Sequence, residues 1–350
     1  MSGGRLAFCS SDRSWLQLFL NHLTDVQFFG SLLSVSPVRR NGPAVWRRLV
    51  ISLAIGIATG LLCRAIMLHL GLGAADFNYA LRGAHNLLSG KDPYSASFQN
   101  YPLPGVIVGL PFLAVKPEVA GGLFFGISSG LLAFGLLRDG YARLLIFLAY
   151  PYWAAMITVQ WAPLLMAGAL LPSLLPLTLA KPQLGASIFL TYPTRRGVIA
   201  SLIFLVLTFL IMPNWPLRWL SSVGNYPYYV PLFAPVGWSL ILAVWRRRDP
   251  DSHLLLLSCA TPQHWFYDSF ILWLIPKTRQ EILATVVLSW GAGITRWYFM
   301  PRSWTEVGTW AVLWIYLPML GVILMRQDAR KEMRAQLRAP QASKAVTVND

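Results

Sequence analysis

Charge is what this chain has least of. Asp, Glu, Lys and Arg together make up 12% of its 350 residues, against about 25% in a soluble domain. A soluble protein of this length could not cover its core with so few charges, which excludes an ordinary cytosolic enzyme. A hydrophobic content of 55% excludes a disordered chain. Acidic residues are the scarcer sign, 14 against 29 basic, for a net charge of +15. Cysteine is nearly absent: Cys9, Cys63 and Cys259 lie far apart, with neither a disulfide framework nor zinc-ligand spacing. No phosphate-binding glycine loop, hydrolase elbow or metalloprotease motif occurs. With a mean hydropathy of +0.52, the sequence reads as an all-α polytopic integral membrane protein. The basic excess then belongs to loops that meet anionic lipid head groups, not to a nucleic-acid surface.

A membrane-spanning helix needs about 20 apolar residues. The clearest run is 50–70, preceded by Arg39, Arg40, Arg47 and Arg48. Further apolar runs cover 102–115, 119–137, 144–158, 161–179, 183–194, 197–212, 230–245, 252–263, 265–276, 281–295 and 308–325. Prolines 163, 172, 176, 182 and 262 interrupt several of them, so about 10–12 spanning helices are expected. Residues 1–48 read as a cytoplasmic or interfacial tail, 49–325 as a single transmembrane domain, and 326–350 as a basic cytoplasmic tail. With both termini inside, twelve crossings place 17 Lys and Arg on inner segments and 8 on outer ones, the expected bias. In this register 71–101 is the longest outer loop. Lys116 and Gln160 fall inside, and Arg138 and Arg143 fall outside against the rule.

Several polar residues stand out against this apolar background. Asp76 follows the first span almost at once. Residues 75–88 after it form an amphipathic pattern, with Leu81, Ala84, Leu87 and Leu88 apolar and Asn78, Arg82, His85 and Asn86 polar, as in a helix lying in the interface. A carboxylate there could take a proton from an acceptor hydroxyl, or it could merely cap the helix. Lys181, in Ala-Lys-Pro-Gln between two apolar runs, suits a phosphate at a broken helix, or a snorkelling lysine. His264 and Asp268 are spaced i, i+4, one face of a helix, and form either a polar wall or a self-satisfied pair. Gln160 is a lone polar residue between apolar runs, of the kind that more often holds helices together.

Taken in order, these segments resemble glycosyltransferase family 87, a group of GT-C-type membrane enzymes. The resemblance rests on Asp76 after the first span, the amphipathic helix, Gly90-Lys-Asp-Pro93-Tyr94, and Tyr101-Pro102-Leu-Pro104. It continues through Gln160, Lys181-Pro182-Gln183 and Thr261-Pro262-Gln-His264-Trp265, and so spans roughly residues 50 to 276. The family often has a His soon after that Trp, where this chain has Phe266, Tyr267 and Asp268.

The resemblance implies a GT-C-like bundle that moves a sugar, mannose-like, from a polyprenyl-phosphate donor to a lipid or glycan acceptor on the extracytoplasmic face. Inversion would proceed without metal or other cofactor, with Asp76 as general base. Lys181, helped by Arg218, Arg296 or Arg302, would meet the phosphate. Tyr94 and Tyr101 would stack on sugar or lipid, and Gln160, His264 and Asp268 would complete the substrate site. A membrane transporter and a non-catalytic membrane subunit of a larger assembly are the alternatives. The charge bias makes one direct prediction: a cysteine placed at Ser97 should react with a membrane-impermeant maleimide only from outside intact cells. Labelling only from the cytoplasmic side would invert the topology.

Overall fold

The computed structural model describes residues 43–95, 99–223 and 227–326. Most of the expected N-terminal tail and nearly all of the C-terminal one lie outside these residues. Within them the fold is helical. There is no strand, only an isolated antiparallel bridge between Tyr229 and Gln263.

Helix α1 (Val45–Leu70) ends at Gly71, whose φ of 65° turns the chain out of the helix. Then come α2 (Phe77–Leu88), α3 (Leu103–Gly109) and α4 (Pro117–Leu136). These are followed by α5 (Tyr150–Ile157), α6 (Ala162–Leu170), α7 (Pro182–Thr191), α8 (Arg195–Ile211) and α9 (Trp215–Val223). The last elements are α10 (Pro250–Ala260) and α11 (Arg279–Phe299), and α12 (Trp304–Arg326), which carries a π-helical turn at Val312–Tyr316. Local chemistry sets several starts. The side chains of Thr194, Asp249 and Ser303 accept backbone N–H groups ahead of α8, α10 and α12, and Thr278 with Glu281 forms a capping box on α11.

Three helices, α1, α4 and α12, are long and apolar enough to cross a membrane. A fourth span is available if α8 and α9, bent by 89° at their junction, are taken together. Apart from 281–295, carried unbroken in α11, most of the remaining apolar runs form shorter pieces. Four are 3₁₀ helices of unusual length: Tyr141–Leu148, Pro172–Ala180, Gly237–Arg246 and Phe266–Leu274. A 3₁₀ helix rises about 2.0 Å per residue against about 1.5 Å for an α-helix. A short 3₁₀ piece therefore reaches further along the bundle than an α-helix with the same number of residues.

Side-chain contacts sort the turns to two ends of the bundle. At one end the Asp76 amide donates to Thr158 O (3.2 Å), Lys181 reaches Gln160 and Asp268, and Trp265 packs on Trp304. At the other, Arg48 donates to Phe134 O and Arg138 to Leu170 O, both at 2.9 Å. There too Arg143 donates to Pro276 O, and Arg326 bonds Asp251 and Glu281.

This sorting corrects the expected register in two places. The run 102–115 does not pass from end to end. Tyr101 packs on Trp161 (5.2 Å between ring centres), Gly105 lies against Ala180 O, and Pro117 is beside Gly73, all at the Asp76 end. The run 161–179 instead passes twice, reaching the far end at Leu170 and returning to Lys181. Hydropathy cannot distinguish one long span from a hairpin of two short helices, and Pro172 and Pro176 permit the hairpin. Lys116 and Gln160 therefore join Asp76, while Arg138 and Arg143 join the opposite end. With these three basic residues moved, the division of charge among the described residues is 12 to 7, and the earlier conflict at 138–143 disappears.

Among the described residues the most extensive helix pairing is between α1 and α4, which run antiparallel on facing glycines. A Cβ added to Gly56 would lie 3.0 Å from Gly126 O, one on Gly60 2.9 Å from Gly122 O, and one on Gly126 2.5 Å from Gly56 O. Small residues every fourth position let two backbones approach where lipid offers no hydrophobic drive. Gly126→Val should therefore lower stability by about 1–3 kcal/mol, the usual cost of overpacking. Gly321→Ala in α12, where an added Cβ meets nothing within 4 Å, should cost nothing. Unfolding of both variants in the same detergent checks this, and equal melting of the two would remove the glycine contact as a determinant.

Candidate active site

Two strained turns place the central residues. Ala75, with φ 45°, immediately precedes Asp76, and Val159, with φ 50°, immediately precedes Gln160. A left-handed conformation is uncommon for alanine and an outlier for a β-branched valine. Such strain costs on the order of 1–3 kcal/mol and persists only where the surroundings enforce it. Here it turns two successive side chains from opposite sides toward one point.

Asp76 is not a helix cap. It stands at the N-cap position of α2, but its side chain makes no capping hydrogen bond and its backbone is already right-handed helical. Instead Gln160 Nε2 donates to Asp76 Oδ2, and the Tyr267 hydroxyl bonds the same carboxylate. Gln160 Oε1 accepts from Lys181 Nζ at 2.9 Å, and Lys181 Nζ is ion-paired with Asp268 Oδ1 at 2.6 Å. Asp268 Oδ2 accepts the backbone N–H of His264 at 2.9 Å. One continuous polar chain thus runs Asp76–Gln160–Lys181–Asp268–His264. Its middle is dry: Gln160 is 1% exposed, Lys181 3% and Asp268 0%. Lys181 also faces the ring of Tyr267, 5.1 Å from its centre.

The two carboxylates share one lysine. Burial raises the Asp76 carboxyl above its ordinary value. Lys181 pulls it back, Asp268 pushes it up again, and the hydrogen bonds from Gln160 and Tyr267 favour the charged form. Burial lowers the imidazole of His264, with the charge of Asp268 opposing.

Asp76 is half-buried and lines a cavity of about 350 Å³ with Ala75, Asn78, Tyr79 and Arg82. Arg82 lies over the ring of Tyr79 at 4.9 Å. The wall behind is aromatic: Tyr79 contacts Tyr101, and Tyr101 contacts Trp161. The cavity therefore offers a carboxylate, a cation and aromatic faces within a few residues of chain.

The other expected residues are placed as follows. His264 and Asp268 are not on one helix face. The backbone at Trp265 is extended and the 3₁₀ helix starts only at Phe266, so the pair meets through the backbone amide, while His264 Nδ1 donates to Pro227 O (2.9 Å). Gln160 joins the Asp76 end, not the opposite one. Lys181 is near Asp76, but its charge is already matched by Asp268. Tyr94 packs with the apolar cluster of Leu103 and Trp215. Arg218 is ion-paired with Asp92 at the surface. Arg296 lies over Trp265 at 5.0 Å, and the Arg302 amide donates to Glu306. Neither Arg82 nor Tyr267 was singled out in the sequence. Arg82 had a signal, since it falls on the polar stripe of α2 with Asn78. Tyr267 had none beyond its position next to Asp268.

These features define a helical, membrane-embedded protein with a buried charged network at one end of its bundle. No protein-family model matches the chain, and no curated protein or solved structure matches it.

The network predicts a thermodynamic signature. Lys181→Met leaves a buried, unpaired Asp268 and should cost about 3–5 kcal/mol, whereas Lys181→Met with Asp268→Leu should recover most of that loss. Unfolding of the single and double variants in detergent measures the coupling. A double variant as unstable as the single one would show that the pair is not the stabilising unit.

Proposed function

We propose that the chain is a GT-C-type membrane glycosyltransferase related to family 87, with about 10–12 passes through the membrane and both termini in the cytoplasm. It moves a mannose-like hexose from a polyprenyl phosphate to a lipid or glycan acceptor on the extracytoplasmic face. The topology is supported by the charge division, since the more basic end of the bundle suits the cytoplasmic side. The observation that carries the reaction is Asp76: a carboxylate released from capping, fixed by Gln160 and set in a cavity beside a cation.

In the proposed step the acceptor hydroxyl gives its proton to a carboxylate oxygen of Asp76 as its oxygen bonds the anomeric carbon. The bond from that carbon to the phosphate oxygen breaks on the opposite face, and the electron pair leaves with the polyprenyl phosphate. The anomeric configuration inverts. A general base of this kind contributes about 10²–10⁴-fold. Arg82, on the same cavity, is the side chain best disposed to meet the developing phosphate charge. Lys181, already ion-paired, acts from behind Gln160 by holding Asp76 in its charged form.

Asp76→Asn keeps size and shape but cannot accept a proton at neutral pH. It should lower transfer by about 10²-fold or more while melting is unchanged. Transfer from a polyprenyl-phosphate-hexose in nanodiscs is the assay, and near-normal transfer would end the base assignment.

The pH dependence follows from the same carboxylate. Because its folded-state value is raised, Asp76 favours the folded state most when protonated, and that contribution is lost as pH rises through the raised value. The acidic limb of the rate should therefore lie above about 3.9, the ordinary aspartate value. Lys181→Met should move it higher and Asp268→Asn lower. A limb at or below about 3.9, unmoved by either variant, would contradict this account.

A further inference from the structure

The end of the bundle opposite Asp76 carries a second polar cavity, about 970 Å³, between the end of the 3₁₀ helix Gly237–Arg246 and the start of α11. Its cations are Arg246, Arg247, Arg248, Lys277 and Arg326. Its carboxylates are Asp249 and Asp251. The charges are unevenly matched. Asp251 is shared by Lys277 (3.1 Å) and Arg326 (2.6 Å), and Arg326 is further tied to Glu281. Among the described residues no carboxylate lies within ion-pair distance of Arg246, Arg247 or Arg248. Arg246 uses one nitrogen on Leu324 O (3.1 Å). Its Nη1 is buried with no hydrogen-bond partner, and so is the hydroxyl of Tyr192 on the cavity wall. Buried donors without partners are rare and costly; here they face an excess of positive charge.

The flank of this cavity is apolar in register with it. Residues three apart eclipse one another on a 3₁₀ helix, so Trp238, Ile241 and Val244 form one stripe, and all three are exposed. The next position along that row is Arg247. A surface that is apolar along the bundle and cationic at its end matches an amphiphile with an anionic head, not a soluble anion.

We infer that this cavity binds the phosphate head group of an anionic phospholipid, with its acyl chains along Trp238, Ile241 and Val244. Arginine suits the role because its planar fork bonds phosphate oxygens in pairs. The inference rests on the membrane setting of the chain and not on sugar transfer, so it stands or falls separately from the proposed reaction.

The test uses the full-length protein in detergent, titrated with phosphatidylglycerol, phosphatidylcholine or inorganic phosphate, with bound lipid counted by native mass spectrometry. The variant is Arg247→Gln with Arg248→Gln. Both side chains are exposed, neither has an ion pair, and the Arg246 bond is left intact. Phosphatidylglycerol should bind about tenfold or more tightly than phosphatidylcholine, and the double variant should lose that preference, since each basic residue near an anionic head group matters at this level. Inorganic phosphate should not displace the lipid. Equal binding of the two lipids, or an undiminished preference in a variant that melts normally, would overturn the inference. Displacement by inorganic phosphate at similar concentration would do so too, by showing a soluble-anion site. Should the double variant fold poorly, Trp238→Ser removes the apolar stripe alone. It should weaken phosphatidylglycerol binding, and unchanged phosphatidylglycerol binding would count against the lipid reading.

Discussion

The ion pair between Lys181 and Asp268 is the constraint around which the rest of this molecule is arranged. Neither side chain reaches water, and each charge removed from water costs several kcal/mol unless partners replace the lost hydration. The structure supplies them one by one. Gln160 Oε1 and the face of Tyr267 take the lysine; the His264 amide takes the second oxygen of the aspartate. The other end of Gln160 then has a donor to place, and it is placed on Asp76. The polar chain is thus a consequence of satisfying one buried pair, and it transmits the position of that pair to the edge of a cavity.

The charges sit where helices break. Gln160 follows the strained Val159, Lys181 separates a 3₁₀ helix from α7, and His264 lies in the extended link before the next 3₁₀ helix. In an apolar setting irregular backbone is tolerated only where it is buried in protein or lines a cavity. Clustering the breaks lets exposed amides and carbonyls be met by the same polar side chains. The close approach of α1 and α4 through Gly56, Gly60, Gly122 and Gly126 supports this arrangement, because the next glycine of α4, Gly121, lies against both Ala74 and Val159 and so joins the turn at 71–76 to the turn at 158–160. A spacing change in that helix pair would be felt at Asp76.

The two ends of the bundle differ in kind. At the Asp76 end the charges of the polar chain are few and enclosed, and a small cavity opens beside a single carboxylate. At the opposite end the charges are many, mostly basic and exposed, and the apolar flank runs directly into them. The first arrangement is suited to moving a proton at a defined atom, the second to holding an amphiphile by its head.

Composition alone determined that this is a helical membrane protein, because too few charges and too much apolar surface leave no other solvent for it. The polar residues of the site were legible for the same reason: Asp76, Gln160, Lys181 and Asp268 are conspicuous wherever a polar side chain is expensive. The amphipathic stripe of α2 was legible from its period. Which residues share an end was not. Gln160 was assigned to the wrong side because the run 102–115 looks like a span and folds back, while 161–179 looks like one span and is two. The His264–Asp268 spacing suggested a helix face, yet the backbone there is extended and the contact is made through an amide. Tyr267 comes to Asp76 only through tertiary packing, whereas Arg82 is brought to the same cavity by α2 itself. Hydropathy records how much a segment avoids water; it does not record where the chain turns, and the turns decided which charges meet.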